Sequence, residues 1–222
     1  MPETDPDEQA RRLAAEGLRE DDATGWFEHL YAAADEGDAV VPWDRETPRE
    51  LFVEWAERKR LDGRGRRALV VGAGLGTDAE FVASLGFDTI AFDVSPTAVR
   101  VARERHPGSR VDYLVADLLD PPSEWRGAFD LVVEIITVQA LPVELHEPAT
   151  ANIAAFVAPG GTLFVLAAAR EDLDGPADGP PWPLTRAEIQ AFASGDLAPV
   201  RIEEIGRADD RRWRAEFSRS AG

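Results

Sequence analysis

The chain has 222 residues, 44% of them hydrophobic, and a formal net charge of −18. That length and apolar content suit one domain with additions, and so acidic a surface repels phosphate backbones, which argues against nucleic acid and anionic membrane as partners. The absence of cysteine excludes disulfides, zinc–thiolate sites and a cysteine nucleophile.

The three histidines, His29, His106 and His146, are scattered without metal-ligand spacing, so no metal is expected. No apolar run approaches ~18 residues, and the first residues lack the basic and apolar regions of a signal peptide. A cytoplasmic protein, monomeric or homodimeric, is the expectation.

Residues 1–60 read as helical and polar, a lid or extension ahead of a main domain over 61–222. "DPDEQARRLAAEGLRE" carries Asp5 as a cap and Pro6 at the first helical position. "TGWFEHLYAAADEG" sets Trp26, Phe27, Leu30 and Tyr31 at helical offsets. Next, "AVVPWDRETPRE" wedges Trp43 between Pro42 and Pro48. Pro42 fixes its own φ and pushes Val41 toward an extended conformation, so Trp43 sits in a stiff turn, either plugging the core or presented to a ligand. "TPRELFVEWAERKR" then aligns Leu51, Phe52 and Trp55 on a third helix.

From residue 67 the pattern changes. Apolar runs at 67–72, 88–93, 111–117, 129–136 and 161–169 alternate with helical segments, the last of which, 140–158, contains a proline. Alternation of this kind predicts a mostly parallel sheet covered by helices on both faces. A Gly/Pro/Asp loop follows Arg170, then a short helix near 186–193 and two runs, "PVRIEEIG" and "RRWRAEFSR", that alternate in polarity as an antiparallel pair would.

"LVVGAGLGTDAEF" is the strongest local signal. Gly72, Ala73, Gly74 and Gly76 follow a strand and precede a helix, where glycines allow a tight turn and close approach to a ligand. The dinucleotide fingerprint would need glycine at 77, which is Thr77. Asp93, followed by Val94, ends the second run, Asp117, followed by Leu118, the third, and Glu134 lies near the end of the fourth, so these residues and the glycine loop with Ala73 are the expected cofactor contacts. A carboxylate at the position of Asp93 can accept both hydrogen bonds of a ribose diol. Several acids and no basic phosphate clamp suit a positively charged nucleoside without phosphates. S-adenosylmethionine (SAM) meets that description better than NAD, whose pyrophosphate fits poorly.

These motifs, with "FDLVV" and "APGGTLFV" in the fourth and fifth runs, resemble a class I SAM-dependent methyltransferase, a Rossmann-like α/β fold with an antiparallel C-terminal strand. "GW…PWD…TP", "FDVSPTAV", "GPPWPLT" and the late "RRW" narrow the resemblance to the thiopurine S-methyltransferase and halide/thiol methyltransferase group. The resemblance implies SAM as methyl donor, S-adenosylhomocysteine as product, and a small-molecule acceptor with a sulfur or other soft nucleophile. It implies that Gly72 and Gly74 lie against the methionine and ribose, Asp93 binds the ribose hydroxyls, Asp117 with Leu118 contacts the adenine, and Trp26 and Trp43 close over the cofactor. Ile135 stands where the halide enzymes carry tyrosine, which argues against halide methylation.

The acceptor pocket expected on this basis comprises Tyr31, Ile135, Ile136 and Trp182. A thiol or halide acceptor needs little or no base, whereas an oxygen or amine acceptor usually does. His29, Asp44 and His146 are the candidates, with Glu134 a further acid. O- or N-methylation in specialised metabolism is the alternative activity, and a catalytically inactive nucleoside-binding protein the alternative class. His106, closing a helix, has no chemical role in this reading.

Overall fold

The computed structural model describes residues 5–19, 22–171, 179–207 and 210–221, so residues 172–178 of the Gly/Pro/Asp loop lie outside the described residues. Seven strands form one sheet: β1 (Arg67–Val71), β2 (Asp88–Asp93), β3 (Asp112–Val115), β4 (Phe129–Ile135), β5 (Val157–Ala168), β6 (Leu197–Ile205) and β7 (Arg212–Arg219), in the order β3-β2-β1-β4-β5-β7-β6. The first five strands pair in parallel, and β7 runs antiparallel to both its neighbours. Parallel strands are buried on both faces, which is why residues 68–71 of β1 and 131–133 of β4 are consecutive apolar residues rather than alternating ones.

The last two strands pair antiparallel as expected, but the later one enters the sheet first. In β7, Trp213, Ala215 and Phe217 are buried on one face, and Arg214 and Glu216 on the other, a strand built for the interior. β6 carries Pro199 and an exposed Val200, features suited to an edge.

Among the described residues, seven α-helices accompany the sheet: α1 (Pro6–Arg19), α2 (Gly25–Asp35), α3 (Glu50–Lys59), α4 (Thr77–Ser84), α5 (Pro96–Arg105), α6 (His146–Phe156) and α7 (Arg186–Gln190). Two apolar clusters cover the sheet's faces, one including α6 and Trp125, the other α3, α4 and α5. A third, centred on Trp26, Leu30, Tyr31 and Leu75, joins α1 and α2 to the glycine loop.

The helical region over 1–60 is thereby divided. Only α1, α2 and the turn after them overlie the strand ends. α3 packs on the sheet, with the rings of Phe52 and Trp55 4.8 and 4.6 Å from that of Phe164. Trp55 Nε1 donates to the buried Glu216 at 2.9 Å.

Other corrections are local. The helix expected over 140–158 begins only at His146, after two 3-10 turns. Pro142 is extended at ψ 149° and breaks the run, whereas Pro148 falls in the first turn of α6, where no amide bond is needed. β3 stops at Val115, so Asp117 lies just beyond the strand.

Candidate active site

A cavity of about 440 Å³ opens at the carboxyl ends of the parallel strands, beneath α1 and α2. This is where ligands bind in open α/β sheets. Its walls include Gly72, Asp93, Val94, Asp117 and Leu118. Ala73 and Gly74 line a smaller recess of about 60 Å³ that shares Trp43, Arg49, Gly72, Ile135 and Ile136 with the main cavity.

Gly72 and Gly74 adopt φ of +57° and +53°, a region costly for residues with a Cβ. Space is short as well: a Cβ on Gly72 would lie 2.6 Å from the Thr137 side chain, and one on Gly74 2.9 Å from the Tyr31 hydroxyl. Asp93 locks this loop. Its Oδ2 accepts from Gly74 N at 2.8 Å and its Oδ1 from Ser95 N at 3.0 Å. Burial pushes its carboxyl above the usual range, opposed by the amides of Ser95, Gly74 and Val94. Asp117 lines the cavity and accepts from Leu119 N at 2.8 Å.

The turn after α2 brings an aromatic cluster over the glycine loop. Trp43 Nε1 donates to the Tyr31 hydroxyl at 2.8 Å, and the Trp43 ring stands edge-on to Trp26, Phe27 and Tyr31, at 6.0 to 6.2 Å. Burial, with the nearby charge of Asp93, pushes the Tyr31 phenol well above its usual range. Phe27, Tyr31 and Trp43 line the cavity. Trp26 does not. It is 1% exposed and stacks on Phe27 at 4.0 Å, so it backs the aromatic that faces the cavity. The turn is pinned on both sides, by an Asp44–Arg105 ion pair of 2.9 Å and by Thr77 Oγ1 donating to Arg45 O at 2.8 Å.

Glu28, which no local pattern singles out, ties α2 to the start of α5. Its carboxylate accepts from Ser95 Oγ at 2.5 Å, Thr97 N at 3.0 Å and Thr97 Oγ1 at 2.6 Å, placing a negative charge at the N-terminus of α5. Burial opposes ionisation, but the Ser95 and Thr97 bonds prevail and hold the carboxyl below its usual range.

Glu134 is placed differently from the cofactor contact expected of it. The side chain is fully buried and absent from the cavity wall. Its Oε1 accepts from Thr137 N at 2.8 Å and Val138 N at 3.0 Å, anchoring the turn after β4. In that turn Ile136 takes φ +56°, a strained position for a β-branched residue, and both Ile135 and Ile136 line the cavity. Burial pushes the Glu134 carboxyl up to about 7, against the pull of the Val138 and Thr137 amides and the charge of His146.

Because the folded value exceeds the ordinary 4.5, Glu134's contribution to stability is full below pH ~4.5 and is lost as the pH rises through about 7. Glu134→Gln keeps an acceptor for the turn and removes the titration. Relative to the variant, the wild type is expected to lose on the order of 3 kcal/mol between pH 4 and 8. Denaturant titrations across that range test this, and parallel pH profiles for the two proteins would refute it.

None of the three proposed bases lines the main cavity. His29 is exposed on α2, its side chain on the helix surface away from the Tyr31 face. His146 is buried and committed: Nδ1 meets Glu188 Oε1 at 2.7 Å and Nε2 meets Leu141 O at 2.9 Å. Burial of Glu188 is outweighed by the His146 and Thr185 hydrogen bonds, which bring its carboxyl down to about 2. Asp44 lines the smaller recess and is held by Arg105. Trp182, expected in the pocket, anchors its loop instead. Its amide donates to Gln139 O at 2.6 Å, and the flanking Pro181 and Pro183 reach the cavity. Gln139 lines the cavity too, its Oε1 accepting from Ala168 N at 2.5 Å.

The residues present fit an adenosyl group bearing a cationic sulfur. Asp93 is buried yet uses only part of its lone-pair capacity on amides. The glycine loop brings bare backbone to the cavity wall at Gly72, and Trp43 offers an aromatic to a cation. No metal-holding group of three or more His, Cys, Asp or Glu occurs among the described residues, and no helix there is long and apolar enough to cross a membrane.

The methyltransferase-domain family matches residues 68–161, and fold, match and cavity define a SAM-dependent methyltransferase. The chain is 26% identical over 180 residues to the 2-heptyl-1-hydroxyquinolin-4(1H)-one methyltransferase of Mycobacteroides abscessus, covering 76% of this chain and 75% of that one. It is 38% identical over 111 residues to the ubiquinone biosynthesis O-methyltransferase of Xanthomonas axonopodis pv. citri, covering 48% of this chain but only 44% of the relative. Among solved structures, the 1,6-didemethyltoxoflavin-N1-methyltransferase of Burkholderia thailandensis, with bound S-adenosylhomocysteine, shares the fold at a TM-score of 0.65 and 18% identity, covering 99% of this chain and 92% of that one.

Proposed function

We propose that this protein methylates a small aromatic acceptor whose nucleophile ionises without help from the enzyme. A thiol is the leading candidate, and an acidic aromatic hydroxyl the second. The observation that carries this reading is the composition of the wall beyond β4 and β5. There Ile135, Ile136, Ala168, Pro181 and Pro183 line the space, Gln139 is tied to Ala168 N, Arg212 is a cation rather than a base, and His29 and His146 are elsewhere.

Bound SAM supplies a methyl group already activated on a sulfonium. The chain's part is to position and to exclude water. Asp93 would hold the ribose hydroxyls, Gly72 and Gly74 let the backbone approach, and Trp43 would stabilise the positive sulfur by ~0.5–2 kcal/mol. Ile135 and Ile136 then present the acceptor against an apolar wall. Orientation of this kind supplies ~7–11 kcal/mol of a displacement barrier.

The sequence resemblance to the thiopurine S-methyltransferase group supports sulfur. The second reading draws support from the hydroxyquinolone and ubiquinone O-methyltransferase relatives. Methyl transfer from labelled SAM to thiols and phenols of graded acidity tests both. The expected result is a pH profile of kcat/KM that moves with the acceptor's own pKa. A profile fixed across the series would reveal a protein base and overturn the proposal.

A further inference from the structure

Acids and cations reach the cavity from different elements, Asp7 from α1 among the acids. Asp93 ends β2 and Asp117 lies just beyond β3, toward one edge of the sheet. On the other side, β7 begins at Arg212. Because β7 runs antiparallel, its first residue falls beside Ala168 at the carboxyl end of β5, and both line the cavity. Arg49, at the start of α3, lines it as well.

These two cations are poorly neutralised. Among the described residues the Arg49 guanidinium makes no hydrogen bond or ion pair, and only its backbone amide reaches Asp78, at 2.9 Å. Burial lowers its pKa, Asp78 offsets part of this, and the like charges of Arg45 and Arg212 lower it further. Arg212 pairs at 2.8 Å with Asp210, whose side chain is 83% exposed, a contact of little energetic value. In a chain of net charge −18, two such arginines on an apolar wall call for an anion.

The cofactor does not account for Arg212. From β2 to β7 the sheet order crosses β1, β4 and β5, four strand spacings or roughly 19 Å at ~4.8 Å each. A methionine tail extending from a ribose held at Asp93 covers only part of that span.

We propose that Arg212, with Arg49 beside it, forms an anion-binding subsite for the methyl acceptor. The acceptor is then a small aromatic molecule with a carboxylate or comparable acid group remote from the reacting atom. The inference rests on the methyltransferase reading and narrows it. Guanidinium groups suit the task because their planar donors bind a carboxylate in a bidentate fashion.

Calorimetry on the protein saturated with S-adenosylhomocysteine, using 1-naphthoate and the isosteric 1-naphthamide, tests the subsite without requiring turnover. The wild type is expected to bind the carboxylate at least about tenfold more tightly than the amide. Arg212→Gln should abolish that preference and Arg212→Lys retain part of it, with affinity for S-adenosylhomocysteine unchanged in both. No preference in the wild type, or a preference that survives Arg212→Gln, would overturn the subsite alone. So would a tenfold loss of S-adenosylhomocysteine affinity in Arg212→Gln, which would assign the arginine to the cofactor. Failure of the wild type to bind S-adenosylhomocysteine would overturn the methyltransferase reading and the subsite together.

Discussion

Asp93→Ala is expected to weaken SAM binding by at least tenfold and by as much as about a hundredfold. A buried diol that loses a charged acceptor forfeits ~1.5–3 kcal/mol, and here the loss extends beyond the ligand. The same carboxylate holds the amides of Gly74 and Ser95, so removing it frees the glycine loop and uncouples it from the start of α5. Asp93→Asn retains an acceptor and should lie between wild type and alanine. Isothermal titration with SAM or S-adenosylhomocysteine reads the effect directly. Unchanged affinity in the alanine variant would show that the ribose is held elsewhere.

Gly72→Ala carries the other large effect, this time on stability and binding together. Its φ of +57° costs a residue with a Cβ ~1–2 kcal/mol. The added carbon would also meet the Thr137 side chain at 2.6 Å, and overpacking of that kind costs ~1–3 kcal/mol. Thr137 cannot simply turn away, because its Oγ1 donates to Val71 O at 3.0 Å and its amide is held by Glu134. The expected destabilisation is about 3 kcal/mol, with SAM binding lost alongside. A second substitution, Thr137→Ala, removes the clash but not the backbone cost, so the double variant should recover only part of the stability. Full recovery would show that sterics alone matter, and no change in the single variant would show that the loop is mobile.

Both predictions concern the part of the site that is legible in the sequence. The glycine loop announces itself because positive φ and close approach select glycine. Asp93 is found because strands buried on both faces are uninterrupted apolar runs, and the first acid after such a run marks the strand's end. The same logic located β1, β2 and β4 to within a residue or so. It placed Asp117 at a strand end, when the strand stops earlier, because β3 lies at the sheet's edge and carries a weaker apolar signature.

What the sequence left open is which side chains face which neighbours. Trp26 and Phe27 are both aromatic and adjacent, and successive helical residues point about 100° apart. Only the packing of α2 against α1 and α5 fixes its rotation, and that rotation turns Phe27 to the cavity and Trp26 to the core. Glu134 looks like a ligand contact on position alone, but the depth at which the next turn doubles back makes it an internal anchor. Glu28 caps a helix 67 residues away in sequence, a partnership that no local pattern encodes.

The sequence by itself therefore determined the alternating strands and helices, the glycine loop and the acid at the end of β2, since each follows from local backbone and burial requirements. Only the tertiary structure decided the insertion of β7 beside β5, the aromatic that faces the cavity and the arrival of Arg212 at the cavity wall beside Ala168. These depend on register and rotation between elements far apart in the chain, which are set by packing against partners rather than by any residue's own preference.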